Sequence, residues 1–420
     1  MHPAYLPSAA RCCIRALLPL ALLVVAVPAR AGGVSLQQAL DRALASNKQL
    51  VAFGHRLGEQ RGRLEQARLL PNPKLDFEIE NVAGEGEYDG TESAELTLSL
   101  GWAIEPGLRS GRTGVARAHA ERASLEARIL RLDVAAETAQ HFLSCLESQL
   151  HLRDAEEAVA AAEDAVRAVA ERVRAGGAPN ADLLRARVEL AAAALARDDV
   201  THEMSVAYHR LAAQWGETAP GFDRVEGILL ALPEVAPFEG IAARAGESPE
   251  IVRLVSAERV ARARLDLAKA GRLPTLTPTL GARRFEDSGD WALVAGLSLP
   301  LPLFDRNQGA VVASQAAVAR ARADVEAERV RVHTQLFEIY EEMQHDVHRA
   351  EVLRDQIVPR LQETLGEIRR GYERGRYSFL ELRSVQTDWL AARRSLVEAS
   401  AGAHRLVITL ERLMGEGVVR

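Results

Sequence analysis

The sequence lacks any apolar run long enough to cross a bilayer as a helix. The stretch from Ala16 to Val27 holds 12 residues, against roughly 20 for a spanning helix. Arg11 and Arg15 precede it and Ala29-Arg30-Ala31 follows it, which reads as a secretory signal over residues 1–31 with an A-x-A cleavage site. A role in a membrane would therefore fall to strands, closed into a barrel because hydrocarbon cannot satisfy an open sheet edge. Cysteine is equally scarce. Of 3 cysteines, Cys12 and Cys13 lie in the signal, so Cys145 remains alone and no intrachain disulfide framework exists. Positive charge is not in excess either: removal of the signal takes three arginines and moves the formal charge from -6 to -9, which excludes nucleic acid as a natural partner. Catalytic motifs are missing as well. His202-Glu203 lacks the second histidine of a zinc-protease helix, and no phosphate loop or nucleophile elbow occurs. Neither an enzyme nor a cofactor is expected.

Glycine and proline are absent from Val115 to Ala175, a stretch of 61 residues, which as helix would reach about 90 Å at roughly 1.5 Å per residue. Within it Leu125, Ile129, Leu132, Ala136, Ala139, Leu143, Leu146 and Leu150 follow coiled-coil spacing. A second seam, Ala155, Val159, Ala162, Val166, Val169 and Val173, continues in a shifted phase. A solvent-facing coiled coil with one partner is the plain alternative, but a shifting seam points to several neighbours.

The chain also matches itself. Leu70-Pro71 corresponds to Leu273-Pro274, Gly111 to Gly309, Gly176 to Gly375, and Trp215-Gly216 to Met414-Gly415. Two repeats follow, at 32–216 and 238–420, joined by a Pro/Gly-rich linker at 217–237. Each is expected to run as a helix of about 35 residues, two strands, a very long helix, a glycine turn and a further helix.

The strand segments alternate. Leu75, Phe77 and Ile79 interleave with Asp76, Glu78 and Glu80; Leu96, Leu98, Leu100 and Trp102 interleave with Glu95, Thr97, Ser99 and Gly101. Leu293, Ala295, Leu297, Leu299 and Leu301 continue the pattern, with Leu276 and Leu280 around Pro278. Such alternation over about 9 to 11 residues fits a transmembrane β-barrel, and equally a half-buried soluble sheet. Counting separates them. Four strands cannot close a barrel, which takes about eight, and a soluble sheet would not explain two long rods. Several chains would share one barrel, and Asp305 to Gly309 would mark where strand becomes periplasmic helix. The competing class is a periplasmic coiled-coil adaptor or scaffold without a barrel, which would carry one hairpin between soluble β-domains.

On LLPNPKLDFEIEN at 69–81, the segment from Tyr88 to Arg112, LPLFDRNQG at 301–309 and RGYERGRYSFLEL at 370–382, the chain resembles the TolC-type outer-membrane efflux channels over essentially its whole mature length. Within them it is most similar to the outer-membrane subunits of cobalt, zinc and cadmium efflux systems. Glu105-Pro-Gly-Leu-Arg-Ser stands where that family usually has Glu-Leu-Gly-Gly-Lys-Arg. The resemblance implies a mainly α protein with a small β part: a homotrimer giving four strands per chain to a shared twelve-stranded barrel, with long helices forming a periplasmic α-barrel. It implies a passive channel in outer-membrane lipid, served by a periplasmic adaptor and an inner-membrane RND-type pump. Divalent metal cations are the expected substrate, with drugs or secreted proteins as alternatives.

The glycine turns at Gly176-Gly177 and Gly375-Arg376 lie between consecutive long helices and so form the expected adaptor-contacting tips. By the resemblance, a gate falls on Tyr372 and Asp182, with Glu381 in an acidic ring just inside and Tyr377 where a second link would carry arginine. Asp76, Glu78, Glu80 and Glu95 would face the lumen and favour cations, with Arg283 and Arg284 offsetting part of the charge. Glu137, His141 and Cys145 share one helical stripe, and His345 and His348 are i, i+3; chance in a helical protein with 11 histidines explains both, so no resident metal is expected.

Overall fold

The computed structural model describes residues 32–417; the predicted signal, with Cys12 and Cys13, lies outside the described residues. Strand β1 (Val34–Ser35) enters helix α1 (Leu36–Ser46), and α2 (Lys48–Arg68) follows after one residue. The single helix expected here is broken because Asn47 competes with the ladder. Its Oδ1 accepts from the backbone of Gln49 at 2.9 Å and Leu50 at 3.3 Å, while its amide donates to the Gln214 carbonyl at 2.9 Å. A buried side chain serving three backbone groups is a strong local alternative to helix.

Strands β2 (Lys74–Glu80) and β3 (Glu95–Gly101) follow, then α3 (Leu108–Arg174) and α4 (Asn180–Ala213). Strand β4 (Val225–Glu226) pairs in parallel with β1. After the short α5 (Phe238–Ala243) and α6 (Pro249–Ala270) come β5 (Thr277–Phe285) and β6 (Trp291–Ser298). The second rod is α7 (Gln308–Val352), a π turn at Leu353–Ile357 and α8 (Val358–Glu373); α9 (Phe379–Leu413) returns along it. The π turn falls just ahead of Pro359, the second residue of α8, whose ring has no N–H to give to the preceding turn.

Helix α3 has 67 residues, about 100 Å at roughly 1.5 Å per residue. Helices α2 and α4 lie along it in tandem, and α6 and α9 lie likewise along the second rod. Both junctions are held by polar contacts: Asn47 to Gln214 in the first case, and Arg412 with Glu250 and Asp133 in the second.

Four helix ends close in the same way. Gly177 N donates to the Arg172 carbonyl at 2.8 Å and Gly176 N to that of Val173 at 3.0 Å; Arg376 N reaches Gly371 at 2.8 Å and Gly375 N reaches Tyr372 at 2.9 Å. These are Schellman ends, which need a left-handed residue, and Gly176 and Gly375 supply it at φ 73° and 76°. The ends at Gly216 and Gly415 show the same bond pair.

The sheet runs β2-β3-β5-β6, antiparallel throughout, with the outer sides of β2 and β6 unpaired as its two edges. Its strands hold 7, 7, 9 and 8 residues, shorter than the alternation suggested. Leu299 and Leu301 fall outside β6, because Pro300 and Pro302 remove ladder donors there. Trp102 lies past β3, though its N–H still donates to the Pro278 carbonyl at 3.1 Å and Ile104 bridges Leu276.

The core lies across the middle of the rods. Ala136, Ala139, Leu143 and Leu146 of α3 are buried, with Phe142 and Cys145, in a core shared with α1, α4 and α9, so the seam meets several neighbours. The segment 217–237 joins this core through buried Phe222, Val225 and Leu229, and His404 of α9 bonds the carbonyls of Leu229 at 3.1 Å and Ala231 at 2.9 Å.

Candidate functional site

Directly opposed residues of an antiparallel pair share a face, so the register sorts the sheet. Asp76 opposes Ser99, Glu78 opposes Thr97, Glu80 opposes Glu95, and Thr97 also opposes Arg283. All four predicted acids therefore stand on one polar face. The other face carries Leu75, Phe77, Ile79, Leu98, Leu100, Leu280, Leu293 and Leu297, each between 49% and 77% exposed. A soluble domain rarely leaves so large an apolar patch uncovered.

The two predicted basic residues separate. Arg284 lies on the apolar face beside Trp291, its guanidinium carbon 5.9 Å from the ring centroid, and pairs with Glu286 at 3.0 Å. Arg283 lies on the polar face and binds Glu80 at 2.7 Å, Glu95 at 2.5 Å and the Thr97 hydroxyl at 2.8 Å. Both arginines were expected to offset the lumen charge; the register leaves that role to Arg283 and puts Arg284 on the opposite face.

At the far end of the rods, both glycine turns sit together. Val169, Ala186, Tyr372 and Leu382 form a small buried cluster. Burial pushes the Tyr372 phenol above its usual range, and Asp182 adds to this, while the Arg172 guanidinium opposes it. Tyr372 and Asp182 are thus neighbours, although among the described residues no hydrogen bond joins them within one chain; Asp182 lies in the first turn of α4 near Arg185. Sequence reasoning missed Arg172, whose guanidinium stacks on Tyr372 at 4.7 Å. Glu381 closes a capping box on α9: its carboxylate accepts from Ser378 N at 2.7 Å and Ser378 Oγ at 2.8 Å. Those two bonds hold its carboxyl below the usual range.

The stripe Glu137, His141, Cys145 does not converge. Cys145 is fully enclosed and burial pushes its thiol up to about 12, while Glu137 is exposed and sits 3.6 Å from His141. His345 and His348 are both exposed on α7. Among the described residues no helix is long and apolar enough to cross a membrane.

An uncovered apolar sheet carried on helical rods is the build of a protein that offers that sheet to lipid or to a partner. The outer membrane efflux protein family matches residues 39–217 and 243–416, and the chain belongs to it. It is an outer-membrane channel subunit with a large periplasmic helical part and not an enzyme. Among curated proteins it is 28% identical to the cobalt-zinc-cadmium resistance protein CzcC of Cupriavidus metallidurans, over 92% of this chain and 91% of that one. It is 29% identical to the nickel-cobalt-cadmium resistance protein NccC of Alcaligenes xylosoxydans xylosoxydans, over 64% and 61%. A crystal structure of CusC superposes with a TM-score of 0.76 over 91% of this chain and 92% of that one at 17% identity, a likeness of fold.

Proposed function

We propose that three copies of this chain share one twelve-stranded barrel and that the assembly conducts divalent transition-metal cations out of the cell. The observation that carries this reading is the four-stranded sheet with an exposed apolar face and two free edges, β2 and β6. An edge in hydrocarbon must be paired, and pairing β6 of one copy with β2 of the next satisfies both. The element order of 36–213 recurs in 238–413, and the left-handed glycines at 176 and 375 and at 216 and 415 recur with it, which supports a duplication in which each repeat supplies one hairpin and one rod. The metal assignment rests on the metal-resistance relatives and on the four carboxylates of the polar face, which would line the lumen. The glycine tips, Gly176, Gly177, Gly375 and Arg376, are the surface offered to a periplasmic adaptor, which links the channel to an inner-membrane pump.

The test has two parts. Outer-membrane extracts in mild detergent should yield a trimer by native mass measurement, and a monomer there would overturn the shared barrel. Cells lacking the protein should lose tolerance to zinc, cobalt or cadmium; unchanged metal tolerance with new sensitivity to dyes or antibiotics would replace metals by organic solutes.

A further inference from the structure

Glu80 and Glu95 stand directly opposite each other on β2 and β3, a like-charge pair that destabilises a sheet unless a cation intervenes. Arg283 intervenes from β5. It reaches across β3, binds one oxygen of each carboxylate and steadies its own Nε on Thr97, while Asn81 donates to the other oxygen of Glu95 at 3.0 Å. Thr97 beneath it is only 5% exposed. By the register, the charged residues of the polar face are Lys74, Asp76, Glu78, Glu80, Glu95 and Arg283. Lys74 stands at the helix-proximal end of β2, and Asp76 and Glu78, both exposed, are the two carboxylates of this face that Arg283 does not hold.

We propose that Arg283 sets the charge selectivity of the barrel. One guanidinium against two carboxylates halves the formal charge nearest the β2–β3 loop, from −2 to −1 per chain, and leaves Asp76 and Glu78, toward the helices, as the carboxylates it does not touch. A cation passing the β2–β3 end of the barrel then meets a weaker attraction than the bare carboxylate pair would exert, so it is held less tightly there and released outward. Conduction requires binding weak enough for the ion to leave. The inference rests on the proposed reading that this face lines a shared pore.

The experiment measures reversal potentials of the purified protein in planar bilayers across a potassium chloride gradient at low ionic strength. Arg283→Gln should raise cation over anion permeability by about twofold or more, since field focusing in a narrow polar conduit is strong. Arg283→Lys should stay near the parent, and Glu80→Gln with Glu95→Gln, which keeps Arg283, should shift the other way. The paired variant serves even if Arg283→Gln fails to assemble. Unchanged selectivity in the paired variant and in any Arg283→Gln channel that forms would overturn the proposal. The pore reading is tested separately: Ser99→Cys, on the same face, should lose current on addition of a charged water-soluble thiol reagent. Block at Ser99→Cys with unaltered selectivity elsewhere rejects the role of Arg283 alone; no block rejects the pore assignment beneath it.

Discussion

Arg172, in the last turn of α3, lies over the ring of Tyr372 with its guanidinium carbon 4.7 Å from the centroid, and it also donates to the Tyr372 carbonyl at 3.2 Å. One side chain thereby ties the end of the first rod to the end of the second. It reaches further to the Gly177 carbonyl at 3.4 Å, so the contact spans both turns of the tip.

Loss of this tie should loosen the tip and nothing else. Arg172→Ala removes a cation–π contact of about 0.5 to 2 kcal/mol, and limited proteolysis should then cut first at 174–178 or 374–378 while the strands stay protected. Tyr372→Phe with Asp182→Ala should raise single-channel conductance of the isolated assembly, if these residues latch neighbouring copies. Unaltered conductance with assembly intact would leave Tyr372 as a packing residue only.

Glu381 can serve as cap, as charge, or as both, and two substitutions separate these. Glutamine completes a capping box without the charge, so Glu381→Gln should lower the melting temperature less than alanine does while weakening block by divalent cations. Glu381→Ala should lower both. The carboxyl lies below its ordinary value of 4.5 in the folded chain, so its contribution is present above pH 4.5 and fades as pH falls through the folded value. Thermal melts from pH 6 to pH 3 should therefore show the parent and Glu381→Ala converging under acid.

The two faces of the sheet should tolerate charge unequally. Leu98→Arg places a guanidinium among Phe77 and Ala282 on the apolar face, at about 2 to 4 kcal/mol near the bilayer midplane. Ser99→Arg, one residue on and opposite Asp76, gains a carboxylate partner. Outer-membrane yield should fall for the first and hold for the second; equal yields would contradict the facing of β3.

Cys145 should be inert until the bundle opens. Its thiol is shifted from 9.0 to about 12 by burial, so below pH 9 its protonated form costs the fold nothing. Between pH 9 and 12 the unfolded chain ionises while the folded one does not, and stability falls as pH rises. Alkylation by iodoacetamide at pH 8 should follow the rate of unfolding in urea; rapid labelling of the native protein would refute its enclosure.

Local chemistry was legible where a residue acts on its own backbone or its strand neighbours. Gly176 and Gly375 announced the tips because a Schellman end needs a left-handed residue, and Leu98 and Thr97 announced two faces because strand periodicity admits no other arrangement. Leu299 and Leu301 misled, since leucine spacing persists through Pro300 and Pro302 while the ladder cannot. Asn47 misled for the opposite reason: its break in the helix depends on Gln214, remote in sequence.

By itself, then, the sequence determined the rods, the turns and the four alternating strands, because capping, propensity and hydrophobic period are set by residues a few positions apart. Only the tertiary structure decided which charges meet. Arg283 and Arg284 are adjacent and chemically identical, yet one gathers Glu80 and Glu95 while the other lies on Trp291 with Glu286. That division follows from strand register, and the Arg172–Tyr372 stack follows from the docking of two rods. Both join residues about two hundred positions apart in the chain, a separation at which only packing brings side chains within reach.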